Sequence, residues 1–258
     1  GISPPSVSFQ GNSPELNSLL KMNSNWMNAP AKKNEPYNPT DVEHIANVLT
    51  HGVWIIPSVG VTLYLSSLSN SSSEYHAALV FGIGLVLLLI VSTSFHYASF
   101  KRQSLCLKHA LHRFDRAMIY IFIATSYFPW FSLHPELFNI YGIKTNWLVW
   151  MLAAIGILYQ QVFHEKYKLL DTVLYVIVAI LPSFLLHKGE IFPGIHQLLY
   201  GGLCYIAGTF FFKLDGRLPF AHAIWHTFVI LGVSFHSCAV SNFFIWEKKV
   251  PGHDMLTM

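Results

Sequence analysis

The stretch Leu79-Val80-Phe81-Gly82-Ile83-Gly84-Leu85-Val86-Leu87-Leu88-Leu89-Ile90-Val91 has no charge and no hydrogen-bonding side chain, and it decides the class of fold. It lies inside a longer apolar segment, 75–99. About 20 such residues cross a bilayer core at a rise of 1.5 Å each. Six further segments resemble it in length: 44–68, 113–132, 145–163, 169–187, 194–213 and 219–246. Of the 258 residues, 53% are hydrophobic and only 11% charged, against about 25% charged in soluble domains. Mean hydropathy is +0.43. The expected fold is an all-α membrane protein, a seven-transmembrane helix bundle over residues 40–246. Pro57, Pro129 and Pro182 fall inside spans, where neighbouring helices can satisfy the freed carbonyls.

The flanks differ. Residues 1–39 are rich in Ser, Asn and Pro; such a stretch buries too little surface to offset its ordering entropy. It is expected to be a flexible cytosolic N-terminal tail, with no apolar run of the secretory-signal kind. It ends at Thr40, which has capping-box spacing to Glu43 for a helix start. Residues 247–258 form a short C-terminal tail. Three cysteines, Cys106, Cys204 and Cys238, make no disulfide framework. The net charge of +3 is small and dispersed, which argues against nucleic acid as a partner.

Loop charges orient the bundle. The tail and alternate loops hold Lys21, Lys32, Lys33, Lys101, Arg102, Lys108, Arg113, Arg116, Lys166, Lys168, Lys213 and Arg217; the other side holds Lys144, Lys188, Lys248 and Lys249. The positive-inside rule places the N-terminus in the cytosol and the C-terminus on the non-cytosolic side. That is the reverse of G-protein-coupled receptors, and it puts the one sequon, Asn70-Ser71-Ser72, outside.

In this orientation four polar groups share one level. His96 ends the second span, Asp115 opens the third, and His222 and His226 occupy the first two turns of the seventh. His222 and His226 are four residues apart, on one helix face. Ionisable groups inside spans are costly and mark functional sites. Three imidazoles with a fourth position open make a catalytic-type zinc site. Ser92, one turn before His96, can hydrogen-bond a water or substrate oxygen there, and Asp115 can orient the water and accept its proton. The proposed metal ligands are therefore His96, His222 and His226, with Asp115 and Ser92 as catalytic candidates.

Each residue alone has a structural explanation. A His-x3-His pair can be hydrogen-bonded packing, Ser92 can bond its own helix backbone, and Asp115 can favour the positive end of a helix dipole. Their shared depth and matching chemistry favour the site. His51 can line the same cavity; Glu43 already has its capping role. His109 and His112 sit at the wet end of their segment. His76, His134, His187 and His196 fall on the far side, and His236 lies deeper in the seventh span. These receive no role.

Ser92-Thr93-Ser94-Phe95-His96, Asp115-Arg116 and His222-Ala223-Ile224-Trp225-His226 resemble the signature of the progestin and adipoQ receptor (PAQR) family, which includes the haemolysin III proteins. The resemblance covers residues 40–246. Glu43-His44-Ile45-Ala46-Asn47, Tyr127-Phe128-Pro129-Trp130, His164-Glu165-Lys166-Tyr167-Lys168 and Phe211-Phe212-Lys213-Leu214-Asp215-Gly216 look like its monocyte-to-macrophage differentiation factor branch. The resemblance implies zinc held by His96, His222 and His226, with Asp115 and Ser92 beside it. It also implies a signalling or receptor-like role on intracellular membranes, Golgi or late endosome and lysosome.

Two functional classes follow. One is a zinc-binding, multi-pass signalling protein with membrane lipids and unidentified signalling proteins as partners. The other is a zinc-dependent lipid amide hydrolase, ceramidase-like, suggested by the family's likeness to alkaline ceramidases. A channel or transporter is disfavoured, because no carboxylate or arginine series lines several spans.

Overall fold

The structure, a computed structural model, describes residues 26–32, 34–133, 139–140, 143–144, 147–164, 166–186 and 194–249. Its helices are α1 (Asp41–Gly52), α2 (Ile55–Leu68), α3 (Ser72–Phe100), α4 (Leu105–Leu133), α5 (Leu148–Val162), α6 (Lys168–Leu186), α7 (Ile195–Phe212) and α8 (Ala221–Lys249). A two-residue antiparallel ladder, β1 (Asn139–Ile140) with β2 (Ile143–Lys144), lies between α4 and α5. With α1 and α2 counted as one path, the helices follow the seven apolar segments closely. Among the described residues, four stretches are long and apolar enough to cross a membrane by length and composition: Asp41–Leu68, Ser72–Phe100, Ile195–Phe212 and Ala221–Ile245. Leu148–Val162 is apolar but shorter. α4 and α6 begin with charged turns, Lys108 to Arg116 and Lys168 to Asp171.

The first segment is broken where a continuous helix was expected. Pro57 has no N–H to give the carbonyl four residues back and its ring crowds that carbonyl. The chain responds with a turn at Val53 and Trp54. Upstream, the capping box forms as read: Thr40 Oγ1 accepts from Glu43 N at 3.2 Å and Glu43 Oε2 accepts from Thr40 N at 2.9 Å.

Residues 26–32 and 34–39, the end of the stretch read as tail, lie against the bundle. Trp26 meets Phe220 edge to face with centroids 5.9 Å apart. Tyr37 donates to Glu43 Oε2 at 2.9 Å and accepts from Asn28 N at 3.1 Å. Burial, with Glu43 beside it, pushes the Tyr37 phenol above its ordinary value, so it remains a donor. Gly216 turns at φ +76 directly under Pro30 and Tyr37, where a side chain would have no room.

The core runs along α3, α4 and α8, with contributions from α5 and α6. Phe81, Leu85 and Leu89 of α3 pack with Tyr120 and Trp130 of α4 and with Phe243 and Phe244 of α8, all buried. Small residues allow the close approaches expected between membrane helices: Gly84 lies against Thr125, and Gly156 against the ring of Tyr120. Between α4 and α6, Arg116 pairs with Asp171 at 2.8 Å, both nearly buried. Tyr120 and Tyr175 donate to the same carboxylate at 3.4 Å.

Candidate metal centre

α3, α8 and α1 converge at one end of the bundle. His96, in the last turns of α3, and His226, in the second turn of α8, are each 2% exposed; His222 is partly buried. One ring nitrogen from each of the three lies within 4.8 Å of the others, a group that can hold a metal ion. Phe220 fixes where α8 begins. It adopts φ 58, a left-handed conformation costing a bulky residue roughly 1–2 kcal/mol, and Trp26 packs on it.

The other ring nitrogens explain which atoms face the shared space. His222 Nδ1 lies 3.2 Å from Asp215 Oδ2, to which it donates. His226 Nδ1 lies 3.0 Å from Thr50 Oγ1. Thr50 spends its own proton on the Ala46 carbonyl at 2.9 Å, so the imidazole donates and its Nε2 lone pair is free. His96 Nδ1 is 3.4 Å from the Asn47 amide. There Asn47 Nδ2 faces the ring, and it is the half-turn of the amide that satisfies its unpartnered Oδ1 which makes this nitrogen a donor as well. His96 Nε2 is then a buried acceptor with no hydrogen-bond partner. Metal-binding histidines characteristically donate the second ring N–H in this way, which fixes tautomer and orientation. The donor set therefore fits a metal held by three Nε2 atoms.

Ser92 and Asp115 reach the same place. Ser92 is buried, with its hydroxyl 2.9 Å from His51 Nδ1. Asp115 lines the cavity and interacts with Ser92; it stands outside the close histidine group, as a partner rather than a ligand would. His51 stacks on His226 with ring centroids 3.6 Å apart and planes at 14°. The suggestion that His51 lines the cavity therefore holds.

Asn47, Thr50 and Asp215 were missed. Asp215 reads in sequence as a turn residue, and its pairing with His222 depends on how the α7–α8 turn folds back. A signal for α1 was present: His44, Asn47 and His51 recur at helical spacing in an apolar segment, and all three are buried. His112, assigned no role, stacks on Phe95 with centroids 4.8 Å apart and meets His164 Nε2 at 3.2 Å.

From this end a cavity of about 830 Å³ extends into the bundle. Pro36, Tyr37, Asn38 and Pro39 border its mouth; Ser126, Trp130 and His236 lie deeper. α6 and α7 both line it and touch each other sparsely among the described residues.

Comparison with known proteins gives the family. Residues 41–237 match the family described as Haemolysin-III related. The chain is 40% identical over 216 residues to the Homo sapiens monocyte to macrophage differentiation factor, covering 83% of this chain and 90% of that protein. It is 33% identical over 199 residues to the hemolysin-3 homolog of Bacillus subtilis (strain 168), covering 74% of this chain and 89% of that protein. With the family match including all three candidate ligands, this chain belongs to the haemolysin III-related, or PAQR, family of multi-pass integral membrane proteins.

Proposed function

We propose that this protein binds zinc through His96, His222 and His226 and uses the adjoining cavity to take up a membrane lipid, in a signalling or regulatory role on intracellular membranes. The observation that carries the reading is the meeting of one ring nitrogen from each of His96, His222 and His226 within 4.8 Å of the others. His96 and His226 are buried and His222 partly so, and each has a neighbour at Nδ1, which leaves Nε2 for the shared space. Imidazole donors suit zinc among the common divalent ions. The mostly apolar cavity that begins at these nitrogens suits a lipid, and the names of the mammalian relatives point to a regulatory role. Golgi or late endosome and lysosome membranes are the proposed location, following the branch resemblance.

A second reading, zinc-dependent hydrolysis of a lipid amide, is favoured by Asp115 and Ser92 standing beside the ligands. Bound zinc supplies Lewis-acid activation of water near neutral pH. Asp115 would accept the proton at its carboxylate. The Ser92 hydroxyl, held between His51 and Asp115, orients that carboxylate. The apolar walls keep bulk water from the site.

The first test is zinc per chain in detergent-purified protein, beside His222→Ala and His226→Ala. Near-stoichiometric zinc lost in both variants is expected; a folded wild type without zinc would sink both readings. For hydrolysis, Asp115→Asn should keep its zinc and lose turnover of a ceramide-like amide. Undiminished turnover would remove Asp115 as the base.

A further inference from the structure

The cavity has a second polar place, well away from the histidine trio. α8 carries His236 midway along its apolar stretch Ala221–Ile245, about 15 Å beyond His226 along the helix axis. α7 faces it with Tyr205. The two rings meet edge to face, with centroids 5.3 Å apart and planes at 82°. Each sits in a socket left by a glycine of the opposite helix. A Cβ at Gly201 would stand 2.3 Å from His236 Cδ2, and one at Gly232 would stand 2.4 Å from Tyr205 Cε1. Neither glycine can be replaced without displacing a ring, so the two helices hold this pair in place.

Both rings line the cavity. His236 Nδ1, His236 Nε2 and Tyr205 Oη have no hydrogen-bond partner among the described residues. The Leu198 carbonyl lies beside the imidazole without reaching hydrogen-bond geometry. Three unsatisfied polar atoms at the middle of a membrane span are expensive, and packing alone would favour apolar side chains there. The pair offers a phenol donor and an imidazole that both donates and accepts. Among the described residues no Lys, Arg, Asp or Glu of the cavity accompanies it; Lys108, Asp115, Arg116 and Asp215 belong to the other end. The complementary group is neutral and both donor and acceptor, which is a hydroxyl.

We infer that the cavity binds a long-chain amphiphile carrying a hydroxyl within its chain, its head at the histidine trio and its hydroxyl between Tyr205 and His236. This rests on reading the cavity as a lipid site, and it assigns His236 and Tyr205 the choice among lipids. An extended chain advances about 3.5 Å for every three bonds, so the hydroxyl belongs about a dozen bonds from the head.

The test uses the full chain in nanodiscs and the displacement of labelled octadecanoate by unlabelled octadecanoate or 12-hydroxyoctadecanoate. The wild type should bind the hydroxylated chain about tenfold more tightly. Tyr205→Phe and His236→Phe should each abolish that preference while leaving affinity for the plain chain intact, which also shows that the variants fold. His222→Ala should weaken both chains and keep the preference, separating the head site from the deeper one. Equal wild-type affinity for the two chains, or a preference that survives both ring variants, overturns the inference alone. Binding of neither chain overturns it together with the lipid reading.

Discussion

At the scale of single residues, an imidazole is a useful ligand only when its lone pair points the right way, and here that direction is set by a neighbour. Thr50 shows the logic. Its proton goes to Ala46, so the bond to His226 Nδ1 must run from the ring to the hydroxyl, leaving Nε2 free. Thr50→Val keeps the shape and removes the acceptor. Loss of such an orienting partner costs about 10- to 100-fold in metal affinity, and a drop in that range is expected in chelator competition. Unchanged affinity would mean that stacking on His51 alone holds His226 in place. Asp115 belongs to a different case: it touches the ligands' surroundings without ligating, so its loss should spare metal content.

At the scale of elements, α4 and α6 are joined by charge rather than by apolar surface alone. Arg116 and Asp171 are 13% and 9% exposed, which puts their pairing out of reach of solvent screening. Asp171→Asn keeps the volume, removes the counter-charge and weakens the acceptor for Tyr120 and Tyr175. Breaking a buried pair from one side costs about 3 kcal/mol or more, and unfolding in detergent should register a loss of that order. A loss under ~1 kcal/mol, the range of a surface pair, would show that water reaches the carboxylate. The break between α1 and α2 works at the same scale. Pro57 ends the regular ladder after α1, and α1 turns its buried polar face, His44, Asn47 and His51, to the site. A helix this polar on one face gains its place by supporting the histidines.

At the scale of the whole molecule, the charge pattern assigns the histidine end a side of the membrane. We propose that it faces the cytosol, on the distribution of lysine and arginine and the charged start of α4. A C-terminal tag should therefore be shielded from antibody after selective permeabilisation of the plasma membrane. A tag that is labelled under those conditions would turn the bundle over and place the centre in the lumen.

The sequence by itself determined the fold class, the helix boundaries to within a few residues except at the start of α4 and the break between α1 and α2, and the trio of candidate ligands. These depend on local quantities: the length of an apolar run, the spacing of two histidines on one face, the end of a span at which a polar residue falls. α4 began earlier than its apolar segment because its first turns are charged yet helical, and hydropathy does not register them. Only the tertiary structure decided what surrounds the ligands. Asp215 reads as a turn residue until the α7–α8 connection brings it to His222, and Thr50 is an ordinary helical threonine until α1 meets α8. The docking of residues 26–32 and 34–39 was likewise invisible, since a Pro- and Asn-rich stretch has no periodicity to announce it. His236 and Tyr205 came together through two glycines on opposite helices. Hydropathy reports each helix's preference for lipid; partners across helices depend on rotation and crossing, which are set only when the side chains pack.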